Sequence, residues 1–132
     1  MKNYLTLLCL SNIQDVTTGL STFVNCIENG VVNSVPETLP GFIVVSKWTC
    51  SKKATGLTAS VICHRPDGSE DTLHIIKGIH AEKGNLTIAI QLEFIEIKDA
   101  GTHYIQVKLH EGDQDFCFGH KYPISITLRK KP

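Results

Sequence analysis

The sequence predicts an all-β protein, folded as one antiparallel sandwich of about eight short strands. Apolar side chains alternate every second residue in most segments, as in Leu86–Phe94, which is the period of a half-buried strand. Turn signals rich in Gly, Pro, Asp and Asn separate these segments, and a 3.6-residue apolar repeat is sustained nowhere over about 11 residues. The 132 residues are the length of one domain, so we expect residues 1–132 to share a single core.

The first half of the chain supplies four or five of the predicted strands. Residues 1–10 are apolar on both faces, which predicts a central first strand. Further strands are predicted at Leu20–Ile27, Val31-Val32, Gly41–Cys50 and Leu57–Arg65. The segments between them are predicted to be a turn at Asp15–Gly19, a tight Asn-Gly hairpin turn at Glu28–Gly30, a crossover between sheets at Pro36–Pro40, and a loop at Lys52–Gly56.

The second half is organised around Leu86–Leu109, two alternating segments joined by the turn Lys98–Gly101. We expect a strand–turn–strand unit inside one antiparallel sheet. The alternation changes phase at Phe94 and Ile95, which predicts a bulge or a crossing to another sheet. The remaining predicted elements are a turn at Pro66–Ser69, a weaker strand at Leu73–Ile79, turns at Glu82–Asn85 and Glu111–Asp113, and a final strand pair, Phe116–Tyr122 and Ile124–Leu128, interrupted at Pro123.

Two features are typical of immunoglobulin-like sandwiches. The single tryptophan, Trp48, stands within a predicted strand, where core packing is favoured over ligand stacking. Asp99-Ala100-Gly101 matches the corner at which those domains enter a strand, where a Tyr four residues after the Asp bonds back to the corner backbone. His103 takes that place here, and we expect it to make a similar bond rather than to act in catalysis.

Six short motifs occur in a characteristic order. They are Cys9-Leu10 after an apolar start, Gly19-Leu20-Ser21-Thr22, Pro36-x-x-Leu39-Pro40, Arg65-Pro66-Asp67-Gly68, Gly84-Asn85-Leu86 and Ala100-Gly101-Thr102-His103. Their order and spacing resemble a family of small, functionally uncharacterised bacterial proteins with an immunoglobulin-like β-sandwich. The resemblance spans most of the chain and implies the fold, but it implies no catalytic residues. The family usually has an aromatic residue where this chain has His103.

Composition limits the partners and the compartment. The 13 basic and 13 acidic residues give a net charge of zero, which argues against a nucleic acid or an anionic membrane as partner. No segment approaches the roughly 20 apolar residues of a membrane span, and the apolar start of about seven residues lacks a cleavage site for a signal peptide. We predict a cytoplasmic protein with reduced thiols. Four cysteines are expected to act as small buried hydrophobes: Cys9, Cys26, Cys50 and Cys63.

The candidates for a metal centre are His110, Cys117 and His120. Structural zinc takes four ligands, usually as two close-spaced pairs, and Cys117 and His120 have opposite parity on a regular strand. We therefore predict no metal and no cofactor.

The leading hypothesis is a non-enzymatic protein-binding or scaffold module that uses the sandwich loops or an exposed strand edge. Its partner would be another protein or a second copy of this chain. The hypothesis rests on neutral charge and on the lack of a Gly-x-Ser-x-Gly elbow or phosphate loop. We expect the interaction surface to include Phe116, Phe118 and Tyr122.

Three other interpretations stay open. One is a hydrolase or metal-dependent enzyme built from His103, His110, Cys117 and His120. Another is a subunit of a larger assembly, such as a phage or secretion particle. A third is a pair of catalytic acids, Glu93 and Glu96, which lie on or beside the polar face of a strand and could line a groove.

Overall fold

The computed structural model describes residues 1–14, 17, 21–112 and 116–129, and this part of the chain contains ten strands and no helix. The strands are β1 (Lys2–Gln14), β2 (Ser21–Cys26), β3 (Asn29–Val32), β4 (Glu37–Cys50), β5 (Ala54–His64), β6 (Glu70–Ala81), β7 (Gly84–Ile97), β8 (Gly101–Glu111), β9 (Phe116–Phe118) and β10 (Tyr122–Leu128). The all-β prediction is confirmed, with two strands more than the eight expected. Among the described residues there is thus no helix that could span a membrane.

The strands form two sheets that pack face to face. One has the order β2-β1-β4-β7, and the other has the order β3-β10-β8-β5-β6, with β9 also paired to β8. All pairing between described strands is antiparallel except that of β3 with β10, which is parallel. Because β1 lies between β2 and β4, the predicted central position of the first strand is confirmed.

Apolar side chains from both sheets meet in one core. Trp48 lies within it at 0% exposure and donates its indole N–H to Ser46 Oγ at 2.6 Å, which confirms the packing role predicted for this residue. Cys50 and Cys63 belong to the same core, and Cys9 is buried in a smaller neighbouring cluster. The prediction for Cys26 is wrong, because this residue ends the edge strand β2 and is exposed.

β7 and β8 do not form a hairpin. β7 pairs with β4 in the four-stranded sheet, whereas β8 pairs with β5 and β10 in the six-stranded sheet. The turn at Lys98–Gly101 therefore carries the chain from one sheet to the other, and the predicted single-sheet unit is wrong. Alternation specifies which face of a strand is buried but not its neighbour, and both strands bury their apolar faces in the same core.

The Asn-Gly pair at residues 29 and 30 does not form the predicted hairpin turn. Asn29–Val32 is strand β3, which lies in a different sheet from β2. A Cβ at Gly30 would lie 2.9 Å from Ile126 Cδ1, so the glycine permits close packing of β3 on β10. The crossover between sheets occurs, but at residues 33–36, and Pro40 lies inside β4 opposite Phe94.

The end of the chain also breaks at a different place from the one predicted. Pro123 lies inside β10 opposite Tyr104, and the interruption falls at residues 119–121. There the Gly119 N–H donates to the carbonyl oxygen of Val107 at 2.8 Å. A Cβ on Gly119 would lie 2.8 Å from that same oxygen, so only glycine allows this approach. The predicted turn at Asp15–Gly19 lies outside the described residues apart from Thr17, as does Asp113.

Candidate functional site

A groove of about 480 Å³ opens between the outermost strands of the two sheets. One wall is Asp71–His74 of β6, and the other is Gln91–Phe94 with Glu96 of β7. β6 ends the six-stranded sheet and β7 ends the four-stranded sheet. An outermost strand has unpaired backbone N–H and C=O groups along one side. The groove is therefore bounded by two strand edges that no other described strand covers.

β7 is the longer and more regular of these edges. Its 14 residues pair with β4 from Gly84 to Ile97 in one register, whereas the pairing of β6 with β5 shifts register three times. β6 also carries Lys77, while β7 contains no Lys, Arg or Pro. Bulges, lysines and prolines are among the features that keep natural edge strands from accepting another strand. β7 lacks all three.

A change of phase in β7 produces the two adjacent exposed side chains of the groove. Alternate residues are buried up to Leu92, but Glu93 and Phe94 are both exposed and Ile95 is buried again. The ladder with β4 skips Gly41 at this point and then resumes in the same register. A Cβ on Gly41 would lie 2.8 Å from the carbonyl oxygen of Leu92. The predicted phase change is confirmed, although no register shift accompanies it.

The facing wall is shaped by an irregularity in β6. His74 lies opposite Val61, but Thr72 lies opposite Ile62, so Leu73 is an extra residue in the ladder. Leu73 packs against the core, and its neighbours Thr72 and His74 are exposed. Thr72 and His74 therefore line the groove on the same side of β6, as alternation of successive side chains predicts.

The lining of the groove is acidic. Its nine residues include Asp71, Glu93 and Glu96 but no Lys or Arg. Asp71 forms an ion pair with Arg65, whose side chain is 6% exposed, so the negative charge of Asp71 is compensated. Among the described residues no ion pair involves Glu93 or Glu96. The uncompensated negative charge therefore lies on β7.

Two of the three predicted interaction residues, Phe118 and Tyr122, differ in exposure. Phe118 is 61% exposed, with Lys108 Nζ 6.0 Å from its ring centroid. Tyr122 instead packs against the core, and burial raises the pKa of its hydroxyl. The backbone of Phe116 pairs with His110, but its side chain lies outside the described part of the structure.

Two of the three metal candidates line a second, smaller cavity. His110 and Cys117 contribute to a cavity of about 120 Å³ that is also lined by Cys50 and Met1. His110 Nδ1 lies 2.7 Å from the carbonyl oxygen of Gly112. His120 does not line this cavity. In the described ranges, no three His, Cys, Asp or Glu side chains are grouped in a way that could hold a metal ion.

His103 occupies the corner expected for it. It is 1% exposed, and its ring Nδ1 lies 3.2 Å from the Gly101 carbonyl oxygen, to which it donates when protonated there. Its Nε2 has no hydrogen-bond partner. Burial lowers the pKa of the ring, the bond to Gly101 opposes that effect, and the charge of Arg65 lowers the pKa further. The ring is closed off from solvent, so it cannot reach a substrate in this conformation.

The four residues of the enzyme hypothesis do not form one site, although His110 and Cys117 line the same cavity. His103 and His110 stand seven residues apart on β8, a span of about 23 Å at a rise of about 3.3 Å per residue. The described structure therefore contains no site that combines them.

The site that the structure does present was only partly visible in the sequence. The sequence indicates Glu93 and Glu96 as a possible groove lining, but its alternation places Phe94 on the buried face with Leu92, and this expectation is wrong because Phe94 is 57% exposed. The position of β7 at the end of a sheet depends on strand order, which alternation does not encode.

Comparison with known proteins supports the fold. No protein-family model matches the chain, and no curated protein matches it significantly in sequence. The crystal structure of the C-terminal domain of wzt superposes with a TM-score of 0.54 at 10% identity, covering 95% of this chain and 72% of that one. A family 123 glycoside hydrolase from Clostridium perfringens, described for glycolipid glycan hydrolysis, superposes with a TM-score of 0.47 at 9% identity. The match covers 96% of this chain and 28% of the hydrolase. At this level of identity the likeness to the wzt domain concerns the fold alone.

Proposed function

We propose that this chain is a non-enzymatic binding module that holds an extended segment of a partner protein along the free edge of β7. In such strand addition, backbone hydrogen bonds to the sheet edge give affinity and side-chain pockets on alternate residues give specificity. The observation that carries the proposal is the long edge of β7, which keeps one register and has no lysine or proline, beside a groove of about 480 Å³.

The length of β7 suits the addition of a strand. β7 pairs with β4 from Gly84 to Ile97 except at Glu93, so the backbone geometry needed by an added strand is already in place. A partner segment would not have to order the receiving edge, and binding is therefore expected to cost little conformational entropy on this side.

The role of scaffold or assembly subunit is a form of the same proposal, because both would use the edge of β7. A cytoplasmic location and a kinship with the bacterial immunoglobulin-like family also belong to the proposal. The likeness to the wzt domain supports the sandwich on which the site is built.

Synthetic decapeptides provide the test. Valine occupies every second position, and Lys, Gln or Glu fills the positions between, giving three peptides of different charge. Binding is measured by isothermal titration calorimetry. Each peptide is then made with N-methyl groups on alternate residues, in two registers. An added strand bonds through one of its edges only, so methylation in one register should abolish binding and methylation in the other should preserve it.

Hydrogen exchange locates the bound peptide. The amides of β7 that do not bond to β4 should exchange more slowly in the complex, while the amides of β2, the other edge of the same sheet, keep their rates. Equal loss of affinity in both methylation registers would contradict strand addition. So would an absence of binding by all three peptides at about 1 mM, the weak end of measurable affinity.

A further inference from the structure

We infer that the segment accepted along β7 is cationic, with Lys or Arg placed opposite Glu93 and Glu96 and an apolar or cationic side chain over Phe94. This inference rests on the proposed function and specifies the chemistry of the partner.

The charge of the edge is the first argument. Glu93 and Glu96 are the charged residues of β7, both are exposed, and both line the groove. Residues directly opposite on paired strands have Cβ atoms about 5 Å apart, where opposite charges attract and like charges repel. A segment beside β7 therefore meets negative charge at two positions that lie three residues apart.

The opposite wall does not neutralise this charge. β6 contributes Asp71, Thr72, Leu73 and His74 to the groove, and the one carboxylate among them is already paired with the buried Arg65. The cation that compensates Glu93 and Glu96 must then come from the bound segment or from solvent.

Phe94 adds the apolar part of the recognition surface. Its ring is 57% exposed and lies between the two glutamates in the sequence. An exposed aromatic face attracts both aliphatic side chains and the cations of Lys and Arg. Because the two glutamates lie three residues apart, a segment in which basic and apolar residues alternate places a basic residue directly opposite one of them, and its other long basic side chains reach the second glutamate diagonally.

Acidic residues on an edge strand can also serve only to keep other strands away. The two roles predict different outcomes. A guard excludes every strand, whereas a recognition edge admits a cationic strand and rejects an acidic one. The three decapeptides separate these roles, since they differ only in the charge of the intervening positions.

The first experiment compares the Lys, Gln and Glu peptides at about 50 mM and about 500 mM NaCl. The Lys peptide should bind at least about tenfold more tightly than the Glu peptide at low salt, with the Gln peptide between them. The preference should shrink at high salt because exposed charges are screened. Equal affinity of the Lys and Gln peptides would overturn the inference while leaving strand addition intact.

Charge-neutral variants locate the preference. The double variant Glu93→Gln/Glu96→Gln should weaken the Lys peptide by about fivefold at low salt and leave the Gln peptide unchanged. The matched control, Glu28→Gln/Glu111→Gln, removes the same charge from exposed residues outside the groove and should keep the wild-type preference. If the control loses as much affinity as the groove variant, net charge and not the groove is responsible, and the inference fails.

Analytical ultracentrifugation of the protein, first alone and then with the Lys peptide, tests whether a second copy of the chain occupies the edge of β7. A second copy seated on β7 would give a dimer that the Lys peptide dissociates by competing for the same edge, and this result would overturn the inference, because the edge would then accept the acidic strand of another copy. A monomer, or a dimer that persists while the Lys peptide is bound, agrees with it.

Discussion

Asn3 and His120 stand 117 residues apart and are joined by a 2.9 Å hydrogen bond, in which the His120 backbone N–H donates to Asn3 Oδ1. Thr6 Oγ1 donates to the same oxygen at 3.1 Å. The Asn3 side-chain nitrogen donates to Ser46 Oγ and to the Lys47 carbonyl oxygen at 3.2 and 3.0 Å. One buried amide thus ties β1 to β4 and to the segment between β9 and β10.

Replacing Asn3 by Ala should lower the free energy of unfolding by about 2 to 3 kcal/mol, because several buried groups lose their partner at once. Urea denaturation followed by Trp48 fluorescence measures the effect. Asn85→Ala is the control, since Asn85 is exposed on β7 and its loss should cost no more than about 0.5 kcal/mol. A cost below about 1 kcal/mol for Asn3→Ala would show that solvent replaces the lost bonds.

The phase change in β7 predicts opposite results for adjacent substitutions. Ile95 is 2% exposed, whereas Phe94 is 57% exposed. Ile95→Ala should cost about 2 to 4 kcal/mol through the cavity it leaves, while Phe94→Ala should cost less than about 1 kcal/mol, although Phe is the larger residue. Chemical denaturation of both variants decides the matter. A larger cost for Phe94→Ala would place the phase change elsewhere.

Two glycines test how packing tolerates an added methyl group. A Cβ on Gly41 would meet the backbone oxygen of Leu92 at 2.8 Å, whereas a Cβ on Gly30 would meet the end of the flexible Ile126 side chain at 2.9 Å. Gly41→Ala should therefore cost about 1 to 3 kcal/mol, because the β4–β7 ladder must shift. Gly30→Ala should cost less, since Ile126 can change rotamer. Equal unfolding free energies for the two variants would contradict this difference.

His103 predicts a dependence of stability on pH. Its pKa is lowered in the folded protein, so below about pH 6.5, the ordinary value for His, the unfolded chain binds a proton that the folded chain does not. The contribution is complete above that pH and is lost as pH falls through the folded pKa. The measurement is the free energy of unfolding in urea at about pH 7.5 and pH 5.5.

The variant His103→Gln, which cannot be protonated, should show a smaller decrease between these two pH values than the wild type. His74→Gln is the control, because His74 is exposed in the groove, and it should keep the wild-type decrease. If both variants decrease as much as the wild type, the acid sensitivity arises from other groups.

The sequence predicted which faces are buried far better than it predicted which strands are neighbours. The buried face of Trp48 and the phase change at Phe94 followed from the period of the side chains, and the central position of β1 followed from apolar residues on both of its faces. The sheet change between β7 and β8 did not, because two strands that face each other across a core alternate in the same way as two strands of one hairpin.

The turn predicted at Gly30 and the strand break predicted at Pro123 were wrong for a related reason. Glycine is used both in tight turns and where two backbones approach closely, and only the contact with Ile126 distinguishes these uses at Gly30. Pro123 lacks an N–H but is accommodated within β10. Local residue preferences do not contain that information, since it depends on which edge of a strand is bonded.

The parallel ladder between β3 and β10 pairs Asn29–Val32 with residues near position 126, and this has a consequence for synthesis on the ribosome. Contacts that span such a long stretch of chain close slowly, since the entropy of the intervening loop is lost before they form. An early segment must then wait for the last strand to emerge before its sheet is complete. Until then the nascent chain exposes unpaired strand edges, and this is the interval in which a chaperone would bind it.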